Sequence, residues 1–331
     1  KTLFRYICIG YLWLTVSIVA GTEPPSKSPT PVPFTGLNHG HKGASTLAAL
    51  TTVNMDTPEK DVVFALEMYQ FDRPWPLSGV GGPAAVQKGF DEGAQGIAHL
   101  LSLPMPTAKT EVLKYVDSLT SGRDPKNPSQ FWVTVPTGLY SGLMAQLKED
   151  KHPLLQFHAV SLLGKMDQDA EKAAPDIEKL FTTKDDAVRC KALSSVVRIT
   201  RKVSPEAKKP ILEMIEKETD SFQEIVFDGL RLAGPEGADL LWHISRKHPK
   251  PKLAIKAFQY CGSNRDCGRH LLDEFLTIVT DPKEIIEKRR WGMYGMAFNP
   301  KQIKESDVRT FCDMLLSDRV PTILRRDSAE C

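Results

Sequence analysis

The side chains best suited to chemistry in this chain are a cysteine pair, a histidine pair and two arginines set among aromatics. Cys261 and Cys267 are followed by His270, and thiolates together with an imidazole are zinc ligands. The spacing departs from the finger pattern, because five residues separate the cysteines and no second ligand pair follows. Gly262 to Asp266 form a turn able to bring the thiols together. A disulfide is therefore the expectation for Cys261 and Cys267, with zinc or plain packing cysteines as the alternatives. Cys190, Cys312 and Cys331 then leave at least one free thiol. His39 and His41 could share a metal, but no third ligand is near, and a solvated linker accounts for them. No metal site and no cofactor is expected.

Arg289 and Arg290 stand against Trp291 and Tyr294, with Lys283 and Lys288 adding charge. Basic residues interleaved with aromatics can neutralise phosphates and stack on bases. The competing reading packs Trp291 between helices and leaves both arginines in solvent. A net charge of +2 removes the whole-chain argument for nucleic acid, so binding there would have to be local. Trp75, framed by Pro74 and Pro76 in a glycine-rich stretch, is a candidate contact residue or a plug folded back against the helices. Enzyme signatures are missing: there is no phosphate loop ending in Gly-Lys-Ser/Thr, no G-x-S-x-G elbow and no H-E-x-x-H helix. An enzyme is not expected.

The elements that would position these residues read as helices. Leu155, Ala159, Leu163 and Met166 fall on one face of a helix. Val188, Ala192, Val196 and Ile199 repeat that face 33 residues later. Each helix is followed by a proline-led partner, with Pro175, Ile177 and Leu180 in one copy and Pro210, Leu212 and Ile215 in the next. Weaker pairs follow. Ile225, Gly229 and Ala233 precede Leu241 and Ile244; Leu253, Ala257 and Cys261 precede Leu271, Leu272, Phe275 and Leu276; a last pair spans 285–297 and 308–316. Two helices alone cannot cover their apolar faces, so stacked copies must close the core between neighbours. The expected architecture is an all-α solenoid of stacked antiparallel helix pairs over 152–317, preceded over 44–151 by degenerate repeats or a helical cap.

The stretch Thr183 to Ile199, with Asp185 and Asp186 at the turn, then Val188, Arg189 and Ala192, resembles a helix of a HEAT repeat. The stretch from His152 to Met166 is similar, with Leu155 and Gln156 at the Val-Arg positions. The proline-led segments A-A-P-D-I-E-K-L and K-K-P-I-L-E-M-I also resemble this family. The resemblance implies a right-handed superhelix whose second, proline-led helices line a concave surface, and a protein that binds other proteins, sometimes nucleic acid, and rarely carries catalysis.

Ahead of the helices, Lys1 and Arg5 precede an apolar run from Tyr6 to Ala20, and Ala20 and Gly21 offer a cleavage point. Residues 1–21 are thus expected to be an export signal or, uncleaved, a membrane anchor, and 22–43 a proline-rich spacer. Residues 318–331 read as a tail. Taken together, the expectation is an exported scaffold, secreted or periplasmic, that binds a protein partner. The alternative is nucleic-acid binding through Arg289 to Tyr294.

Overall fold

The structure is a computed structural model that describes residues 47, 49–71, 82–121, 133–217, 220–317 and 320–324, all within one compact unit, 37–331. The signal and linker expected over 1–43, Trp75 and most of the tail lie outside the described residues. The described segments form an all-α solenoid of paired helices. These are α1 (Glu59–Phe71), α2 (Gly82–Ser102), α3 (Pro106–Leu119), α4 (Tyr140–Gln146), α5 (Pro153–Lys165), α6 (Ala174–Glu178) and α7 (Asp186–Thr200). They continue as α8 (Pro205–Lys217), α9 (Asp220–Leu230), α10 (Gly234–Lys247), α11 (Pro251–Gly262), α12 (Arg269–Thr280), α13 (Ile286–Ala297) and α14 (Glu305–Leu316). Among the described residues none of these helices is long and apolar enough to cross a membrane.

Local chemistry sets the boundaries. Proline occupies the first position of α3, α5, α8 and α11, where its missing N–H costs nothing because that donor has no partner inside the helix. Asp185 caps α7, its Oδ1 accepting from the Val188 N–H at 2.9 Å. Arg201 ends α7 in the left-handed region (φ 57°), and Asp167, just beyond α5, takes the same conformation (φ 58°). The side chains of these two residues pair with one another, so equivalent helix ends in successive repeats are bridged by an ion pair.

The odd-numbered helices stack in chain order from α1 to α13, each lying against the next odd helix. Even-numbered helices pack against members of that row, α4 on α5, α6 on α7, α10 on α11 and α12 on α13, and the core lies between these helices and their neighbours. Leu155, Ala159, Leu163, Val188, Ala192 and Val196 are fully buried, and Met166 and Ile199 nearly so. Leu253, Ala257 and Cys261 continue the face on α11, and Leu271, Leu272 and Phe275 meet it from α12.

The second helices differ from the sequence expectation in start and in register. The helix α8 begins at Pro205, so Pro210 sits inside it and not at its head. Its buried face is therefore Ala207, Ile211, Met214 and Ile215, while Leu212 is exposed. In the preceding copy the proline-led helix is cut short: α6 has five residues and is flanked by 3-10 turns at 167–173 and 179–182. Phe181 takes the buried position there and Leu180 is half-buried.

Candidate functional site

A cleft of about 460 Å3 is lined by residues of α5, α7, α9 and α11. Its floor is made of small residues. A Cβ on Gly164 of α5 would lie 2.5 Å from Ser195 Oγ, and a Cβ on Gly229 of α9 would lie 2.8 Å from Ser194 Cα. Glycine at these positions lets three successive helices approach almost backbone to backbone. Ser195 Oγ then donates to the Val160 carbonyl at 3.0 Å, joining α7 to α5.

Charged side chains rise from that floor. Lys165 on α5 and Arg198 on α7 stand exactly one repeat apart in the sense of the 33-residue displacement that relates the two cores. Each is tied to a carboxylate on a neighbouring odd helix. Lys165 Nζ contacts Asp117 Oδ1 of α3 at 2.6 Å and also donates to the Asp117 carbonyl at 2.6 Å and to Ser121 Oγ at 2.9 Å. Asp117 accepts further from Ser161 Oγ at 2.8 Å and lies 2.9 Å from His158 Nδ1. Arg198 reaches Asp228 Oδ2 of α9 at 3.2 Å, and Arg231 holds the other carboxylate oxygen at 3.0 Å.

The electrostatics follow from this wiring. Burial pushes the Asp117 carboxyl up, but the His158 hydrogen bond and the Lys165 charge and hydrogen bond outweigh it and hold the group well below the usual carboxylate range. Burial pulls the Lys165 ammonium down to about 8, against the opposing pull of Asp117. Lys191, half-buried on α7, is also lowered by burial, with the Asp117 charge opposing and Arg198 adding to the shift. Its ammonium lies 5.1 Å from the centre of the Phe157 ring. Among the described residues neither Lys191 nor Lys252, which is exposed at the rim on α11, forms an ion pair or hydrogen bond. Among the described residues these two cations of the cleft are in no ion pair, although the Asp117 and Asp228 charges act on Lys191 from farther away.

Comparison with known families bears on the same segment. Residues 140–230 match the family model for HEAT repeats. This segment is a HEAT-repeat array. It runs from α4 through α9 and so contains most of the cleft. No curated protein matches the chain. HEAT repeats are in general protein-interaction scaffolds, and the family is typically non-catalytic. The cleft opens on the Val-Arg helices of the HEAT array, whereas the resemblance assigned the binding surface to the proline-led helices.

The residues singled out from sequence are placed elsewhere. Arg289 is only 5% exposed, and its Nε donates to the Val279 carbonyl at 2.8 Å, so its guanidinium helps hold α13 to α12 and is not presented to phosphates. Arg290, Trp291 and Tyr294 are half-buried, with the two rings 5.4 Å apart. The Trp291 carbonyl lies 2.6 Å from where a Cβ on Gly262 would stand, which seats this part of α13 against α11. The bridge expected between Cys261 and Cys267 is not formed in this structure: both are buried free thiols. Cys267 Sγ donates to the Cys261 carbonyl at 3.5 Å, Cys261 Sγ donates to Ala238 O at 3.4 Å, and burial raises the Cys261 thiol well above its ordinary value. His270 pairs with Asp239 at 2.8 Å instead of joining the cysteines. Among the described residues no cluster of His, Cys, Asp or Glu could hold a metal.

Sequence reasoning did not single out Lys165, Lys191, Arg198, Asp117 or Asp228. A usable signal was present. The displacement that relates the two cores also takes His158 to Lys191, Ser161 to Ser194 and Lys165 to Arg198. Polar residues that keep the period of a core are edge positions of an interhelical surface, and that period could have been searched for.

Proposed function

We propose that this chain is an exported, non-catalytic HEAT-repeat scaffold that holds a protein partner against its odd-numbered helices. The observation that carries the reading is the cleft across α5, α7, α9 and α11, lined by Lys191 and Lys252, which form no ion pair among the described residues. A solenoid needs its two layers for a core, and leaves the outer sides of its helices free for recognition. Export rests on the apolar run from Tyr6 to Ala20 behind Lys1 and Arg5. Cell fractionation tests the location, and affinity capture from the extracytoplasmic fraction with wild-type protein and Lys191→Glu tests the surface. The expected result is a reproducible partner lost with Lys191→Glu. A chain found only in the cytoplasm overturns the export reading. A reproducible absence of any partner overturns the scaffold.

A further inference from the structure

We propose that the cleft is a receptor for a carboxylate side chain carried on an acidic segment of a protein partner, gripped by Lys191 and Lys252 with Ser194 as a hydroxyl donor. This rests on the scaffold reading and names the chemistry of the partner. The charges lining the cleft fall into two groups. Lys165 and Arg198 are spent internally on Asp117 and Asp228, with contacts of 2.6 Å and 3.2 Å. Among the described residues Lys191 and Lys252 have no such partner, and Ser194, on the floor, makes no hydrogen bond. An ammonium held partly out of water over the Phe157 ring, with Asp117 and Asp228 acting on it only through space, is best satisfied by an incoming anion. Tyr260 and Ile225 add apolar surface beside it, suited to the methylene stem of a Glu or the backbone of a peptide.

The carboxylates of the wall favour a carboxylate over a phosphoryl group. The cleft lies along the flanks of its helices, where main-chain N–H groups are consumed by helical bonds, so only side chains can donate. Two ammoniums and one hydroxyl can donate to both oxygens of a carboxylate. Glu224 and Asp228 also line the wall and would repel a dianion more strongly than a monoanion. The second cleft, of about 520 Å3 near Arg201 and Asp266, offers no comparable cation, since Arg201 is already paired with Asp167.

Fluorescence anisotropy with the full chain tests the assignment, using three labelled peptides of one sequence carrying glutamates, glutamines or phosphoserines at the same positions. The glutamate peptide should bind, the glutamine peptide should be weaker by tenfold or more, and Lys191→Met should remove about the same factor. Lys252→Met should weaken binding by a smaller factor, because its ammonium is exposed. Lys208→Met, an exposed lysine on α8 away from the cleft, should leave affinity unchanged. Unchanged thermal melts for each variant show that folding is intact. Equal binding of glutamate and glutamine peptides, binding confined to the phosphoserine peptide, or an equal loss with Lys208→Met would each overturn the carboxylate assignment. Binding of none of the three peptides overturns it too. The scaffold reading falls separately, on the absence of a captured partner.

Discussion

Asp117 shows how one carboxylate can fix two helices. It belongs to α3, yet its oxygens are taken by Ser161, His158 and Lys165 of α5, and its side chain is only 14% exposed. Removing one member of a buried pair strands the other, at about 3–5 kcal/mol. Asp117→Asn should therefore lower the unfolding free energy by an amount in that range, read as a fall in the denaturation midpoint. The pH dependence has a definite sign. The folded-state value lies below the unfolded one, so the folded state binds fewer protons, and this contribution is present at neutral pH and is lost as pH falls below roughly 4. Denaturant titrations at pH 7 and pH 3 should show the gap between wild type and Asp117→Asn narrowing at the lower pH; a constant gap would contradict the assignment. The core makes a second residue-scale statement. Leu163 is fully buried, and Leu163→Ala should destabilise by roughly 2–5 kcal/mol. The burial of Leu163 and Val196 was legible in sequence because an apolar face must repeat wherever repeats stack. The ion pairs were not, because Asp117 lies 48 positions before Lys165 and each charge read alone looks like a solvated surface residue.

At the scale of elements, the spacing of the odd row is set by glycine. Gly229 on α9 faces Ser194 of α7 so closely that a Cβ would meet Cα, O and Oγ alike at 2.8 Å. Two of those atoms are main chain and cannot rotate away. Gly229→Ala should thus destabilise by about 1–3 kcal/mol, read as a fall in melting temperature. Gly138, whose Cβ would meet nothing within 4 Å, provides the matched control and should tolerate alanine. The helices themselves were readable from the periodicity, but α8 was misregistered, since a proline marks a helix start and Pro205 and Pro210 both qualify. Only the packed structure distinguishes the proline at the first position from the one inside, by burying Ala207 and Ile211 and exposing Leu212.

For the molecule as a whole, packing between neighbours predicts graded stability. Helices α5, α7 and α9 are each flanked by an odd helix on both sides. In a linear array such interior members have two interfaces and terminal ones have one. Hydrogen exchange should find the slowest amides in α5, α7 and α9, and earlier exchange in α1 and α14; uniform protection across the described helices would argue for a single all-or-none unit instead. The matched HEAT segment, 140–230, covers this same interior. The fold class was therefore visible in sequence where the repeats are most regular, and the cleft lies in that same region. It stayed hidden because a groove is a property of four helices at once, and no single repeat contains it.

The contact between Gly229 and the main chain of Ser194 also sets the terms on which the array could be rebuilt. For a protein engineer it is a coupling with a fixed gauge. A duplicated or transplanted helix pair can be inserted here only if it offers a glycine on one helix and a small side chain opposite. A pair lacking that fitting would stand off from its neighbour, and the groove would be widened at the joint even if every helix kept its own shape.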